Sequence, residues 1–226
     1  MSQPQLSLEH LYRASSSTNK NAPAIIMLHG FGSDENDLFS FASELPEHYH
    51  IISLKAPLPM QPYGNAWYNI YFDANDGKFS DIPQAIASRD LVAKCIDEII
   101  EAYPIDPKQV TLLGFSQGTI LSFAIGLNYP EKVNRIIGLS GYINEELLKE
   151  GYSEHDFSRL KVYTSHGTVD QVLPIDWARK TAPFLKDLGI PCKYSEFPVG
   201  HGVAPQNFYE FKNWLLENED SSVRIQ

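Results

Sequence analysis

Cysteine is scarce in this 226-residue sequence, which contains only Cys95 and Cys192. The two residues lie far apart in the chain and do not form the closely spaced pairs of a structural zinc site. No metal site is therefore predicted from cysteine. A chain with so few cysteines is typical of a reducing compartment, so we expect free thiols and a cytoplasmic location.

Basic residues and long apolar runs are also lacking. Lys and Arg number 18 against 28 Asp and Glu, a formal net charge of −10, which argues against a nucleic-acid partner because phosphate binding needs clustered basic side chains. The apolar run AIIML is too short to cross a bilayer, and the N-terminal MSQPQLSLEH has no secretory signal pattern. We therefore expect no stable membrane insertion.

Short apolar segments alternate with amphipathic ones along the rest of the chain. The segments AIIML, HIISLKAP, QVTLLGF, RIIGLSG, KVYTSHG and CKYSEFP predict buried strands. Helices are predicted at about 84–102, 117–129, 174–188 and 205–218. The alternation predicts one α/β domain over residues 1–226, with a mainly parallel sheet covered by helices on both faces.

Three segments fall outside this alternation. Residues 1–22 are predicted to form an N-terminal edge strand and a turn. Residues 56–83 have no clear periodicity, and so long a segment between regular elements predicts a functional loop region or small elements within it. Residues 219–226 are predicted to be a frayed tail.

The segment GFSQG places Ser116 between Gly114 and Gly118, directly after a predicted strand and before a predicted helix. This is the context of a nucleophile elbow, a sharp strand-to-helix turn that exposes the serine oxygen above the sheet. The flanking residues must be small because their backbones pass close to neighbouring elements. The alternative is an ordinary glycine-bounded turn in which Ser116 caps the helix.

A nucleophilic serine needs a general base, and three histidines follow Ser116 in the chain: His155, His166 and His201. On this type of sheet the acid and then the histidine follow later strands. His201 alone comes after both a predicted strand and a plausible acid, so we predict it as the base. We expect His166 to pack or hydrogen-bond near its loop.

For the acid, Asp170 lies at the tip of the polar loop after the strand KVYTSHG. The competing acids are less suitable, because Asp156 precedes that strand, Asp176 and Asp187 lie on the next predicted helix, and Glu196 lies inside a strand. Asp170 could instead be a turn or helix-capping aspartate.

The segment HGFGSDEND follows the first buried strand, where a second part of an anion-stabilising site is expected. Gly30 and Gly32 allow the backbone to turn its N–H groups toward a substrate oxygen. We predict the backbone N–H groups of Phe31 and Gln117 as the oxyanion donors. A simple glycine turn followed by an acidic helix cap is the alternative.

The segments LHGFGSDENDL, GFSQGT, HGTVDQVLP and GHGV, together with NAWYNI, resemble the phospholipase/carboxylesterase family, which includes acyl-protein thioesterases. The resemblance extends from about Ala24 to Trp214. It implies an α/β-hydrolase fold without a large cap domain and hydrolysis of carboxylic esters or thioesters without a cofactor or metal. Thr119, Gln171 and Asn69 depart from the family pattern, and none of the three is a predicted reacting residue.

Carried over by position, the resemblance implies Ser116 as nucleophile, Asp170 as acid and His201 as base, with backbone N–H groups of Phe31 and Gln117 in the oxyanion hole. Because the imidazole of His201 must be neutral to act, we expect activity to rise through about pH 6 to 7. A non-catalytic ligand-binding protein of the same fold, or a serine peptidase, would be the alternatives.

Aromatic and apolar residues between 56 and 83 are predicted to border a substrate acyl group. These predicted substrate-binding residues are Met60, Tyr63, Trp67, Tyr68, Tyr71 and Phe72. Some of them could instead pack the segment onto the sheet. The predicted partners are a small ester or thioester, an acylated protein or a lipid, and exposed aromatic residues would also allow a homodimer.

Overall fold

The computed structural model describes residues 4–73 and 77–219, with a seven-stranded sheet and two small hairpins. The strands of the large sheet are β1 (His10–Arg13), β2 (Ala22–Leu28), β3 (His50–Leu54), β8 (Ile105–Phe115), β9 (Arg135–Leu139), β10 (Lys161–Gly167) and β11 (Cys192–Phe197). The hairpins pair β4 (Leu58–Pro59) with β5 (Asn65–Ala66), and β6 (Ile70–Asp73) with β7 (Gly77–Ser80). The helices are α1 (Asn36–Phe39), α2 (Ile82–Ala102), α3 (Gln117–Asn128), α4 (Ile175–Ala178), α5 (Thr181–Asp187) and α6 (Pro205–Glu217).

The strand order is β1-β3-β2-β8-β9-β10-β11, and all neighbouring pairs are parallel except β1 with β3. This confirms the prediction of a mainly parallel sheet. Because parallel strands end at the same edge, the loops after β2, β8, β10 and β11 meet there. These loops carry the residues that the sequence motifs single out.

Helices cover both faces of the sheet, as predicted, and β2 shows why. Its side chains alternate between the two faces. Ile26 packs in the cluster that contains residues of α2 and α3, such as Ile96 and Phe123. Ile25 belongs to the opposite cluster, which contains Phe211 of α6. A strand buried on both faces is continuously apolar, which explains the run AIIML.

The helix predicted at 174–188 is wrong as a single element, because the structure divides it into α4 and α5. Pro183 explains the break: in a continuous helix it could not donate to the carbonyl of Arg179, and its ring would collide with that carbonyl. In the observed fold Pro183 lies in the first turn of α5, where no donor is required. The predicted stop at Gly189 is observed, with Gly189 at φ +72° and the N–H of Ile190 donating to Leu185.

Residues 56–83 hold the two hairpins rather than one continuous loop. Strands of two to four residues are too short to show periodicity, so no sequence pattern predicts them. At the other end of the chain, Glu219 accepts a hydrogen bond from His48 Nε2 at 2.7 Å, whereas the rest of the predicted tail lies outside the described residues. None of the helices in the described part of the chain has the length and apolar character that a membrane span requires.

Candidate active site

Ser116 stands at the junction of β8 and α3 with φ 53° and ψ −116°, a backbone conformation that non-glycine residues rarely adopt. Such strain persists only where the surroundings impose it. Here a Cβ on Gly114 would lie 2.6 Å from backbone atoms of Gly118 and Thr119, and one on Gly118 would overlap the carbonyl oxygen of Leu28. The Ser116 side chain makes no capping bond to α3, so its hydroxyl is not used to start the helix.

The structure brings Ser116, His201 and Asp170 together from the loops after three different strands. His201 Nε2 lies 2.9 Å from Ser116 Oγ, and His201 Nδ1 lies 2.7 Å from Asp170 Oδ2. The His201 side chain is 16% exposed and that of Asp170 is fully buried. In this row of hydrogen-bonded side chains, the Ser116 hydroxyl lies at the cavity and the Asp170 carboxylate lies at the buried end.

Asp170 is held on both of its oxygens. Its Oδ1 accepts from the backbone N–H groups of Val172 at 2.8 Å and Leu173 at 2.9 Å, while Oδ2 faces His201. Burial acts to raise the pKa of Asp170, but the N–H of Leu173, the imidazole of His201 and the N–H of Val172 outweigh it and lower the pKa below its usual range. Asp170 is therefore a carboxylate anion at neutral pH.

The predicted oxyanion donors lie beside this chain. Phe31 and Gln117 both line the cavity that contains Ser116. Across residues 4–73 and 77–219, the backbone N–H groups of Phe31 and Gln117 have no protein acceptor, whereas the neighbouring N–H of Gly32 donates to Asn65 at 2.9 Å. These two N–H groups are free to bind an oxygen of a ligand.

The side chain of Gln117 has a second role that the sequence reasoning missed. Its Oε1 accepts from the N–H of Trp67 at 2.9 Å, and its Nε2 donates to the carbonyl of Tyr68 at 2.8 Å. The buried amide thus ties the elbow to the segment between β5 and β6. The sequence pattern around Gln117 gives no sign of this tether, because a side chain that bonds to the backbone of a distant segment produces no periodic pattern.

Trp67 lies in the core rather than on the cavity wall. It is fully buried, and its indole Nε1 donates to the carbonyl of His29 at 2.9 Å. His29 in turn accepts from the N–H of Ala56 at 3.1 Å through Nε2. The aromatic side chain therefore fixes the loop after β2 instead of bordering a substrate.

Thr119 fills the elbow position at which the sequence departs from the family pattern. Its hydroxyl lies 2.7 Å from the carbonyl oxygens of both Gly114 and Leu139 and accepts from the N–H of Leu139 at 2.9 Å. The hydroxyl thus connects the carboxyl ends of β8 and β9 directly beneath Ser116.

A cavity of about 950 Å³ opens over Ser116 and His201. Of the predicted substrate-binding residues, the structure places Tyr68 in its wall and Trp67, Met60, Tyr63 and Tyr71 outside it. Tyr63 is 79% exposed to solvent, and the hydroxyl of Tyr71 donates to Asp81 at 3.2 Å. Tyr68 is thus the one described member of the predicted aromatic wall that lines this cavity, the substrate-binding roles remain predictions, and the side chain of Phe72 lies outside the described residues.

A large part of the wall comes instead from the loops after β9 and β10 and from the segment that holds α4 and α5. The lining residues of these segments are Tyr142, Ile143, Asn144, Glu145, Glu146, Val172, Leu173, Trp177, Lys180, Thr181 and Phe184. Both loops follow strands that were predicted correctly, so their position at the carboxyl edge was the signal that could have identified them. Burial, followed by the nearby Glu146 carboxylate, raises the pKa of the Tyr142 hydroxyl, so this wall presents a neutral phenol to a ligand.

Comparison with known proteins agrees with this geometry. The family model described as Phospholipase/Carboxylesterase matches residues 11–218. The chain is 28% identical over 119 residues to "Probable carboxylesterase SOBER1-like" of Arabidopsis thaliana, covering 52% of this chain but only 45% of that protein. It is 26% identical over 209 residues to "Acyl-protein thioesterase 1" of Debaryomyces hansenii, covering 85% of this chain and 89% of that protein.

Among solved structures, the Bacillus cereus carboxylesterase superimposes with a TM-score of 0.80 at 16% identity, over 94% of this chain and 95% of the other. At that identity the likeness establishes the fold, which is that of the α/β hydrolases, as the strand order and the elbow indicate. The family match covers both the elbow and the loops that carry Asp170 and His201. This chain therefore belongs to the phospholipase/carboxylesterase family.

Proposed function

We propose that this protein is a serine hydrolase that cleaves carboxylic esters or acyl thioesters. The observation that carries the proposal is the continuous chain from Ser116 Oγ through His201 to Asp170, with separations of 2.9 and 2.7 Å. Donor and acceptor within this range can pass a proton. Family membership supports the same reaction class.

In the proposed reaction, Ser116 Oγ forms a bond to the substrate carbonyl carbon while its proton passes to His201 Nε2. The anionic Asp170 holds the Nδ1–H tautomer of His201 and stabilises the imidazolium that forms. His201 then gives the proton to the departing alkoxide or thiolate as its bond to the acyl carbon breaks. Water attacks the acyl-enzyme, with its proton taken by His201, and the acid product leaves as Ser116 recovers its hydrogen.

The two backbone N–H groups of Phe31 and Gln117 would stabilise the negative oxygen of the tetrahedral intermediate. Each such donor contributes about 3 kcal/mol to lowering the barrier. Their place in the cavity beside Ser116 and the absence of a competing acceptor among residues 4–73 and 77–219 support this role.

The cavity supports a substrate with a neutral acyl group. Apolar side chains such as Ile120, Ile143 and Phe184 line it, and its charged lining residues are Asp37, Glu145, Glu146 and Lys180. The excess of acidic over basic side chains disfavours an anionic substrate. Small esters, acyl thioesters and acylated proteins or lipids all present such a neutral acyl group, and we propose a cytoplasmic setting for the reaction.

The test is labelling by a fluorophosphonate probe beside a panel of p-nitrophenyl esters and acyl thioesters of increasing chain length. We expect the wild-type chain to be labelled at Ser116 and to hydrolyse members of the panel. Ser116→Ala should lose labelling and at least about 10³-fold in kcat. Ser122→Ala, which changes a buried serine of α3 six residues further along the chain, is the matched control and should be labelled like the wild type.

Two results would overturn the proposal. A folded wild-type chain that is neither labelled nor active, while a control hydrolase reacts, would favour a non-catalytic binding protein. Activity on peptide amides that exceeds activity on matched esters would favour a peptidase.

A further inference from the structure

His166 lies beside the same carboxylate as His201 but takes no part in the proposed proton transfer. It is the penultimate residue of β10, and its side chain is 1% exposed. Its Nε2 lies 2.9 Å from the carbonyl oxygen of Leu173 and 3.2 Å from Asp170 Oδ2. Two imidazoles thus approach one oxygen of Asp170, one from the cavity and one from inside the protein.

The contacts of His166 fix its tautomer. A carbonyl oxygen and a carboxylate anion can only accept, so Nε2 must carry the hydrogen and donate it. The other ring nitrogen, Nδ1, is buried and has no hydrogen-bond partner among the described residues. His166 therefore donates through Nε2 to the turn that follows Asp170.

We propose that His166 is a positioning residue for the hydrolytic reaction, acting through Asp170 rather than on the substrate. Its Nε2–H binds the Leu173 carbonyl and so holds the turn whose N–H groups grip Asp170 Oδ1. The same Nε2 lies 3.2 Å from Asp170 Oδ2, close enough for its N–H dipole to offset part of the negative charge of the carboxylate although its hydrogen bond goes to Leu173. His166 thereby limits how strongly Asp170 favours the protonated form of His201. The inference rests on the proposed function for its catalytic meaning.

A second carboxylate, that of Glu196, also lies near His166. Glu196 lies opposite His166 in the register of β10 with β11, but its carboxylate is bound by Arg179 at 2.7 and 3.0 Å. The Arg179 guanidinium lowers the pKa of Glu196 below its usual range despite the opposing effect of burial. Glu196 therefore keeps a constant charge while imidazoles titrate, and the charge that varies near Asp170 is that of His201.

The sign of the effect follows from electrostatics. Without the His166 N–H, more negative charge remains on Asp170 Oδ2, which stabilises the His201 imidazolium. His201 would then take up its proton at higher pH, and the acid limb of kcat/KM would move upward. A substitution that keeps an N–H donor near the same place should leave the limb where it is.

The experiment compares His166→Leu with His166→Gln, whose side-chain amide can place a donor near the position of Nε2. His155→Gln is the control, because His155 is exposed and far from Asp170 in the chain. The His201 imidazole is titrated by NMR of histidine labelled at Cε1, with assignment from the variants themselves. In parallel, kcat/KM for a p-nitrophenyl ester is measured from pH 5 to 8, and circular dichroism checks the fold.

For His166→Leu we expect the NMR midpoint of His201 and the acid limb to move up by about 0.5 pH unit, which lowers kcat/KM roughly threefold near pH 5.5. His166→Gln and His155→Gln should match the wild type within about 0.2 unit. An unchanged or lower midpoint in His166→Leu, or equal midpoints in the Leu and Gln variants, would overturn the proposal. The NMR titration decides this even for a chain without esterase activity, so failure of the proposed function remains distinguishable.

Discussion

At the scale of single residues, the Thr119 hydroxyl supports the elbow from below. It bonds to backbone groups at the ends of both β8 and β9, and Leu139, one of its partners, also accepts from the N–H of Ser116 at 2.9 Å. One hydroxyl thus links the backbone on either side of the strained residue Ser116. A glycine at 119 could not make these bonds.

We expect Thr119→Val, which keeps the shape and removes the hydroxyl, to lower the free energy of unfolding by about 2 kcal/mol, because the N–H of Leu139 loses its buried acceptor. We further expect about a tenfold loss in kcat with little change in KM, since Ser116 would be less firmly placed. Urea unfolding and ester kinetics measure the two effects.

Thr119→Ser should retain most of the stability and activity, because the hydroxyl is present. Thr18→Val, at an exposed position, controls for the exchange itself. Equal behaviour of the Ser and Val variants at position 119 would show that the hydroxyl bonds are unimportant.

The acid and the base show how far residue-level sequence reasoning reaches. Ser116, Asp170 and His201 follow from the elbow motif and from chain order, and the structure brings all three together. The approach of His166 to Asp170 was not predicted, because a histidine next to the last residue of a strand gives no local sign of which way its ring points. Chain order identifies the loop, and tertiary packing decides the contact.

At the scale of elements, the first residue of α3 anchors the chain between the two hairpins. Both ends of the Gln117 amide bond to backbone groups of residues 67 and 68, and Ser88 of α2 also donates to the Trp67 carbonyl. The hairpin region therefore does not move independently of the elbow. A buried side chain replaces the regular sheet bonds that this segment lacks.

We expect Gln117→Leu to lower the free energy of unfolding by about 2–4 kcal/mol, because it leaves the Trp67 N–H and the Tyr68 carbonyl unpaired in the interior. Gln206→Leu, on the exposed side of α6, is the matched control and should lie within about 0.5 kcal/mol of the wild type. Thermal and urea unfolding, followed by tryptophan fluorescence, measure both. A Gln117→Leu variant as stable as its control would mean that water replaces the tether.

Element boundaries were predictable where a local signal marks them and not otherwise. The strands and α3 follow from apolar runs and from Gly114 and Gly118, and the stop of α5 follows from Gly189. The break between α4 and α5 is caused by Pro183. The apolar pattern of this segment continues across the proline and by itself predicts a single helix. The short hairpins have no comparable signal, because their pairing depends on tethers such as Gln117.

At the scale of the whole molecule, the cavity is assembled by the order of the strands rather than by any one segment. The loops after β9 and β10 provide a large part of its wall, because β9 lies beside β8, which ends just before Ser116, and β10 lies on the other side of β9. The aromatic residues between 56 and 83 predict a cavity wall, but the largest of them, Trp67, is buried in the core. An aromatic-rich sequence does not distinguish between these two uses.

We expect Trp67→Phe to lower the free energy of unfolding by about 1–3 kcal/mol, since it removes the bond to the His29 carbonyl and leaves a void. Its acyl chain-length preference should stay within about twofold of the wild type. Trp177→Ala should instead change the acyl chain-length preference and leave the stability nearly unchanged. Trp177 is 41% exposed, lines the cavity and packs its ring 5.0 Å from Tyr142.

For Trp177→Ala we expect stability close to the wild type and a shift of roughly fivefold or more in kcat/KM toward longer acyl chains. The measurement is a series of p-nitrophenyl esters from two to twelve carbons, together with urea unfolding. A preference that changes with Trp67 and not with Trp177 would contradict this view of the cavity.

The methyl group of Thr119 has a consequence for how such sequences can vary. A side-chain carbon at Gly138 would lie 2.9 Å from that methyl, and one at Gly141 would collide with it. Positions 119, 138 and 141 share a single small volume, so a larger residue at one of them restricts the other two, although 22 positions separate the first from the last. An alanine at 138 or 141 therefore requires a residue smaller than threonine at 119, together with a small shift of Phe123 or of the Ser116 carbonyl.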